Sequence, residues 1–339
     1  MEKESILVNG YVYPSISDQL LQAWLPNLSL ISTFSYGMTP EGDLIQLNDE
    51  KLISAANAQG TGALMVLTPL NAEGRFSNEL VSEILENPAA VDNLLNNILQ
   101  TIKNKGLFGI DFDFEYVAAK NRDQYTDLVS RAAILLNPLG YIVTVALAPK
   151  TSEEQVGLLY QGHDYAGMGS AANFVLLMTY EWGYAYGPPM AVAPIDKVRQ
   201  VLAYGVSQIP PEKILMGIPN YGYDWKLPFI RGETVAEKIS NEEAVARARE
   251  FGVEIQFDDI AQSPYYYYKK PIAPAEGPPP GQPIQYEEHV VWFEDSRSYA
   301  AKMQAIKDFG LTGMSIWEIM SYSQSLIDQI NNNFNVAKI

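Results

Sequence analysis

The sequence predicts an α/β fold, a (β/α)8 TIM barrel with a small α+β insertion between strands seven and eight. Three observations lead there. Eight short apolar runs recur along the 339 residues, several nearly unbroken in Val, Ile, Leu and aromatics, as parallel strands buried on both faces require. Amphipathic helical patterns lie between them, and such repeated units favour a closed barrel over an open sheet. The rhythm breaks once, between about residues 226 and 293. A barrel of roughly 270 residues plus an insertion of about 65 accounts for the length.

The expected strands are Ile6–Tyr13, Leu28–Tyr36, Ala63–Leu67, Gly109–Tyr116, Tyr141–Ala148, Asn173–Tyr180, Ile214–Tyr221 and Gly313–Glu318. Helical patterns cover Asp18–Trp24, Asp49–Gln59, Pro88–Lys105, Arg122–Asn137, Ile195–Ser207 and Ser325–Asn333. Asp49 (or Asn48) is a candidate helix cap, and Asn87-Pro88 reads as a cap followed by a first-turn proline. In the interrupting segment a helix over Asn241–Phe251 precedes strand-like Val253–Phe257, Tyr265–Lys270 and Glu288–Phe293. Pro271–Gln285 carries six prolines and two glycines and reads as an extended hairpin loop. The expected division is a barrel of residues 1–225 and 294–339 with an insertion domain at 226–293. The run Tyr265–Tyr268 is read as sheet packing within that domain, because alternate strand residues face opposite ways.

Composition narrows the function. There are 23 basic and 40 acidic side chains, a formal net charge of −17, so nucleic acid and anionic bilayers are poor partners. With no cysteine there is no disulfide and no thiolate chemistry. His163 and His289, the two histidines, offer little for a metal centre and are expected at surface or loop positions. The chain is rich in aromatics, with 21 Tyr, 12 Phe and 5 Trp, which suits ligands that stack and hydrogen-bond, such as sugars. No apolar run reaches the roughly 18 residues of a membrane helix. The start, Met1-Glu2-Lys3-Glu4-Ser5, shows no signal peptide, so cytoplasmic synthesis without classical secretion is expected.

The most informative string is Gly109-Ile-Asp-Phe-Asp-Phe-Glu-Tyr116. Asp111, Asp113 and Glu115 alternate with Ile110, Phe112 and Phe114, and residues two apart share a strand face at about 6.5–7 Å. In a barrel the apolar set packs on the outer helices and the acids point inward. Buried carboxylates so close push one another's pKa values apart, which keeps one or more protonated near neutrality. A protonated acid at the barrel mouth is a general acid. A solvated antiparallel strand or a divalent-cation site are the competing readings of such a row.

The string resembles the strand-four signature of family 18 glycoside hydrolases (chitinases and endo-N-acetylglucosaminidases), Asp-x-x-Asp-x-Asp-x-Glu. Met178-Thr-Tyr-Glu181 resembles the family's strand-six Met-x-Tyr-Asp, Gly217-Ile-Pro-Asn-Tyr-Gly222 its strand seven, and Gly313-Met-Ser-Ile-Trp317 its strand eight with a sugar-stacking tryptophan. The insertion is similar to the family's α+β insertion domain. The run Met178–Ile195 is most similar to the branch associated with spore germination and cortex lysis. Members of that branch often carry N-terminal LysM modules; this sequence starts at the first strand, and a chain without that anchor is expected.

The resemblance implies hydrolysis of β-1,4 linkages in N-acetylglucosamine-containing glycans, with spore-cortex peptidoglycan as the preferred substrate. It implies a substrate-assisted retaining route, a known exception to the two-carboxylate scheme. Glu115 then protonates the glycosidic oxygen, Asp113 steadies the attacking 2-acetamido group, Asp111 shares a proton with Asp113, and Tyr180 hydrogen-bonds the acetamide carbonyl. Expected substrate-binding residues are Trp317, Glu181, Trp182, Tyr11, Tyr36, Asn220, Tyr221, Tyr223 and Asp224, with weaker claims from Tyr184 and Tyr186. Neither metal nor cofactor is implied, a monomer is expected, and spore or cell-envelope association follows from the branch. A chitinase or endo-β-N-acetylglucosaminidase on other glycans is the alternative, as is a non-catalytic chitinase-like sugar-binding protein. Three departures stand out: Phe108 occupies the outermost Asp position, Glu181 replaces an Asp, and Leu67-Thr-Pro-Leu-Asn71 stands in place of a strand-three Ser-x-Gly-Gly. Thr68 is the candidate hydroxyl partner of Asp111.

Overall fold

The computed structural model describes residues 3–272 and 283–339. The barrel strands are Ser5–Val12, Leu30–Met38, Gly62–Leu67, Gly109–Phe112, Ile142–Leu147, Phe174–Leu177, Ile214–Pro219 and Gly313–Trp317. They pair in parallel in chain order, and the first strand pairs with both the second and the eighth, closing the ring. Several strands stop short of the predicted ends. Strand four finishes at Phe112 and strand six at Leu177, because the staves part at the mouth and the ladder lapses. The chain direction persists there: the Asp113 amide still donates to Leu67 O at 3.0 Å.

The helices follow local chemistry. In Pro88–Lys105 the Asn87 side chain accepts from the Ala90 amide, proline occupies the first turn, and Gly106 ends the helix at φ 69°. Val91, Leu94, Leu95, Ile98 and Ile102 form its buried stripe. Asp49 precedes the helix Glu50–Asn57 without capping it. Its carboxylate instead accepts from Thr33 Oγ1 (2.7 Å), Tyr36 OH (2.8 Å) and Lys105 Nζ (2.8 Å). Helices Asn78–Leu85, Tyr165–Ala171 and Ser296–Phe309 add to those predicted. The last presents only a thin apolar stripe of Tyr299, Met303 and Ile306 among Lys, Arg, Gln and small residues, and Asp295 and Ser298 cap it reciprocally.

Inside and outside of the barrel are chemically distinct. Ile110, Phe112 and Phe114 are fully buried in the main core against the helices. The interior carries polar groups with partners: Asn9 donates to Ser315 Oγ (2.8 Å) and accepts from Ser32 Oγ (3.1 Å). Towards the mouth it is lined by Tyr11, Val66, Ala146, Leu176 and Met178.

The segment before strand eight forms an antiparallel sheet in the order Glu237–Ile239, Gly222–Leu227, Gln285–Trp292, Ser263–Ile272 and Gln256–Asp258. This sheet begins at Gly222, ahead of the 225/226 division drawn from sequence. The helix Asn241–Glu250 covers one face, packing Ala244 and Ala248 against Tyr266, Tyr268, Val291 and Phe293. Tyr266 and Tyr268 thus point inward while Tyr267 is exposed. The proline-rich loop expected over Pro271–Gln285 lies mostly outside the described residues, and its ends, Pro271, Ile272 and Gln285, are paired strand.

Candidate active site

At the C-terminal mouth of the barrel opens a cleft of about 600 Å³, the end where loops of such barrels carry chemistry. Asp111 lies at its base, 1% exposed. Tyr11 OH donates to its Oδ2 and Thr144 Oγ1 to its Oδ1, both at 2.5 Å. Thr144 reaches it because strands four and five pair Asp111 with Thr144 in register. Burial pushes the Asp111 carboxyl up to about 6, against the pull of the two hydroxyls. The partner predicted from sequence, Thr68, does not serve. Its hydroxyl donates to Tyr36 O at 3.1 Å.

Asp113 is 7% exposed, lines the cleft, and has a buried Oδ1 without a hydrogen-bond partner. Burial, then the charges of Glu115 and Asp111, hold its pKa well above the carboxylate range. Glu115 follows at the cleft mouth, where solvent reaches it. The walls remove enough water to raise its pKa, and the Glu181 charge adds to the effect. The three acids therefore descend from solvent to a sealed base, and dehydration raises the pKa of each.

Tyr180 lines the same space, and burial followed by the acidic neighbours keeps its phenol protonated. Glu181 takes a left-handed backbone, φ 66°, which turns its side chain into the cleft. Its Oε1 accepts from Tyr223 OH at 2.9 Å and from Tyr221 OH. Burial raises its pKa, restrained by these hydroxyls and by Lys238. Trp317 closes strand eight and packs edge-on against Phe34 (5.1 Å) and Tyr11 (5.2 Å), which fixes its plane in the cleft floor. Trp182 and Tyr184 line the cleft; Tyr186, 67% exposed, does not.

Three predicted contact residues lie elsewhere. Tyr36 is fully buried with its hydroxyl on Asp49 and Lys105 above its ring, facing the helical layer. Its strand is bulged between Thr33 and Tyr36, which shifts the inward–outward alternation assumed from sequence. Asn220 is buried, donating to Glu318 O (3.0 Å) and Ser321 O (3.1 Å), and ties strand seven to the turn after strand eight. Asp224 is buried at the root of the insertion, accepting from Tyr268 OH (2.6 Å), Arg247 and His289 Nδ1 (2.7 Å). His163 lies in a loop, as expected, but away from the surface, and His289 is half-buried in a strand. His163 is fully buried, accepting from the Ala148 amide (2.8 Å) and bonded through Nε2 to Phe114 O (2.9 Å). Burial drops its pKa to about 4, so it is a neutral brace behind the acidic strand. His289 is in the insertion sheet.

Sequence reading missed Thr144 as the hydroxyl partner of Asp111, and Tyr116, Tyr160 and Lys238 as cleft residues. Only Thr144 left a trace, a hydroxyl alternating with Ala146 in an otherwise apolar strand; the register that aims it at Asp111 is tertiary. Among the described residues, no cluster of His, Cys, Asp and Glu suited to a metal ion occurs.

The sequence pattern described as Glycosyl hydrolases family 18 matches residues 73–321. The chain is 37% identical to the cortical fragment-lytic enzyme of Bacillus subtilis (strain 168) over 343 residues, 99% of this chain and 76% of that enzyme. Its fold is similar to that of the spore cortex-lytic enzyme SleL of Bacillus cereus, with TM-score 0.91, 36% identity, and coverage of 100% of this chain and 76% of that one. A chitinase from Chromobacterium violaceum shares the fold at TM-score 0.85 and 22% identity, over 97% of this chain and 99% of that one. An acidic row rising from a barrel's fourth strand, and relatives over nearly its whole length, make the chain a glycosidase that belongs to glycosyl hydrolases family 18.

Proposed function

We propose that this glycosidase cleaves β-1,4 linkages of N-acetylglucosamine-containing glycans in spore-cortex peptidoglycan, using the substrate's own acetamido group as nucleophile. The observation that carries the reading is the buried, unpartnered Oδ1 of Asp113 between Asp111 and the cleft-mouth Glu115. A carboxyl so placed is short of one polar partner, and an acetamide N–H is the complementary group.

Glu115, whose raised pKa favours the protonated form, gives its proton to the glycosidic oxygen as the C1–O bond breaks. The acetamide carbonyl oxygen closes on C1, forming a cyclic oxazolinium cation. Asp113 accepts from the acetamide N–H and balances that cation, while the proton it yields passes toward Asp111. Tyr180 OH donates to the acetamide oxygen and orients it. Glu115, now a carboxylate, takes a proton from water, which opens the ring on the opposite face. Two displacements at C1 leave the β configuration retained.

Relatives named for cortical fragments and spore cortex support the substrate and a spore-associated site of action. The test compares fragments released from cortex peptidoglycan, vegetative wall and chitin by mass spectrometry, with proton NMR of the first-formed anomer. Cortex fragments released as β anomers are expected, and Glu115→Gln should reduce turnover roughly 10²–10⁴-fold while sugar binding survives. Equal cleavage of a de-N-acetylated glycan would overturn the acetamido mechanism.

A further inference from the structure

The insertion contributes a cation to an otherwise neutral and acidic cleft. Among the described residues that line it, Lys238 is the only basic one, set against Asp113, Glu115 and Glu181. The short strand Glu237–Ile239 places it there by alternation. Ile239 faces the insertion core and Glu237 pairs with Arg247, so Lys238, opposite Tyr223 in register, projects to the other side.

There the ammonium lies 4.4 Å above the centre of the Tyr221 ring, an arrangement that fixes its position without using its N–H donors. The nearest carboxylate in an ion pair with it is Glu318, at 3.9 Å, beyond hydrogen-bond reach. Glu181 feels its charge but makes no hydrogen bond to it; its Oε1 accepts from the hydroxyls of Tyr221 and Tyr223 instead. The side chain remains 45% exposed. A lysine serving only to offset its acidic neighbours would be drawn into contact with one of them. Lys238 lines the cleft with no hydrogen-bonded carboxylate partner among the described residues, Glu318 being its nearest ion-pair neighbour.

We infer that Lys238 binds a carboxylate borne by the glycan, so that the cleft selects acid-substituted chains over neutral ones. In peptidoglycan that carboxylate comes from the lactyl ether of muramic acid or from its peptide, and both present the same planar anion. The inference rests on the proposed glycan substrate and adds the part of it that the insertion wall reads.

The experiment measures calorimetric binding of muropeptide fragments to the full chain carrying Glu115→Gln, in which turnover is slowed roughly 10²–10⁴-fold while binding survives. Fragments are used with the peptide, with the peptide removed to leave the lactyl carboxylate, and with either carboxylate amidated. Amidation should weaken binding about tenfold, the size of one charge-assisted contact. The discrimination should vanish when Lys238→Met is added and persist with Lys238→Arg. The fragment class on which amidation acts identifies the source of the carboxylate. Amidation that leaves affinity unchanged, or a penalty that survives in Lys238→Met, overturns the inference. Equal turnover of native and amidated fragments by the unmodified enzyme would sink the Lys238 assignment and leave the glycosidase reading standing. Failure of any fragment to bind or react would remove both.

Discussion

Thr144→Val deletes one of the two hydroxyls holding Asp111 and keeps the shape of the side chain. The buried Oδ1 would then lose its 2.5 Å donor, and an unpaired buried acceptor costs about 1–3 kcal/mol. The charged form suffers most. At about 1.4 kcal/mol per pKa unit, the Asp111 carboxyl should climb by roughly one to two units from its present value of about 6. Because that pKa already stands above the unfolded one, the carboxyl favours folding at low pH, and that contribution is lost as pH rises through the folded value. The mutant's added penalty therefore appears above about pH 6–7 and shrinks where Asp111 is protonated in both proteins. Urea unfolding at pH 4 and pH 8 should show the larger loss at pH 8, and the acidic limb of the rate profile should move up by the same one to two units. The limb reports the Asp111–Asp113 pair together. Equal destabilisation at both pH values with an unmoved limb would refute the claim that this hydroxyl stabilises the ionised acid.

The unmodified enzyme should show a bell-shaped pH–rate profile, since Glu115 must be protonated and the inner pair partly ionised; a flat profile well above neutrality would contradict the roles assigned. In Glu181→Gln a negative neighbour of Glu115 disappears, so the Glu115 pKa falls and the alkaline limb shifts to lower pH, measurable in kcat/KM. Lys302 and Glu294 form a fully buried pair at 2.9 Å, so Lys302→Met alone should destabilise by about 3–5 kcal/mol, and adding Glu294→Gln should restore part of it. Asp224→Ala leaves Arg247 paired with Glu237 alone and strands the Tyr268 hydroxyl and His289 Nδ1, and thermal unfolding followed by near-ultraviolet dichroism should show loss of the tyrosine-rich insertion sheet ahead of the barrel.

Alternation and periodicity alone carried the eight-stave barrel, the insertion, and the inward face of Asp111, Asp113 and Glu115, because each is written in neighbouring residues: buried strands are apolar throughout, and side chains two apart share a face. Trp317 was legible because it ends a strand and so faces the mouth, whereas Tyr180 and Glu181 were legible through the resemblance of Met178-Thr-Tyr-Glu181 to the family's strand-six motif. Tyr36, Asn220 and Asp224 satisfy the same local rule and are not in the cleft. A bulge redirects the first, the turn after strand eight captures the second, and the insertion sheet encloses the third. Thr144 and Lys238 enter the site through interstrand register and through the fold of a separate sheet. Which staves neighbour one another, and by what offset, depends on pairings between segments far apart in the chain. Local order therefore determined which face of a strand each residue occupies, and tertiary closure alone decided which faces meet.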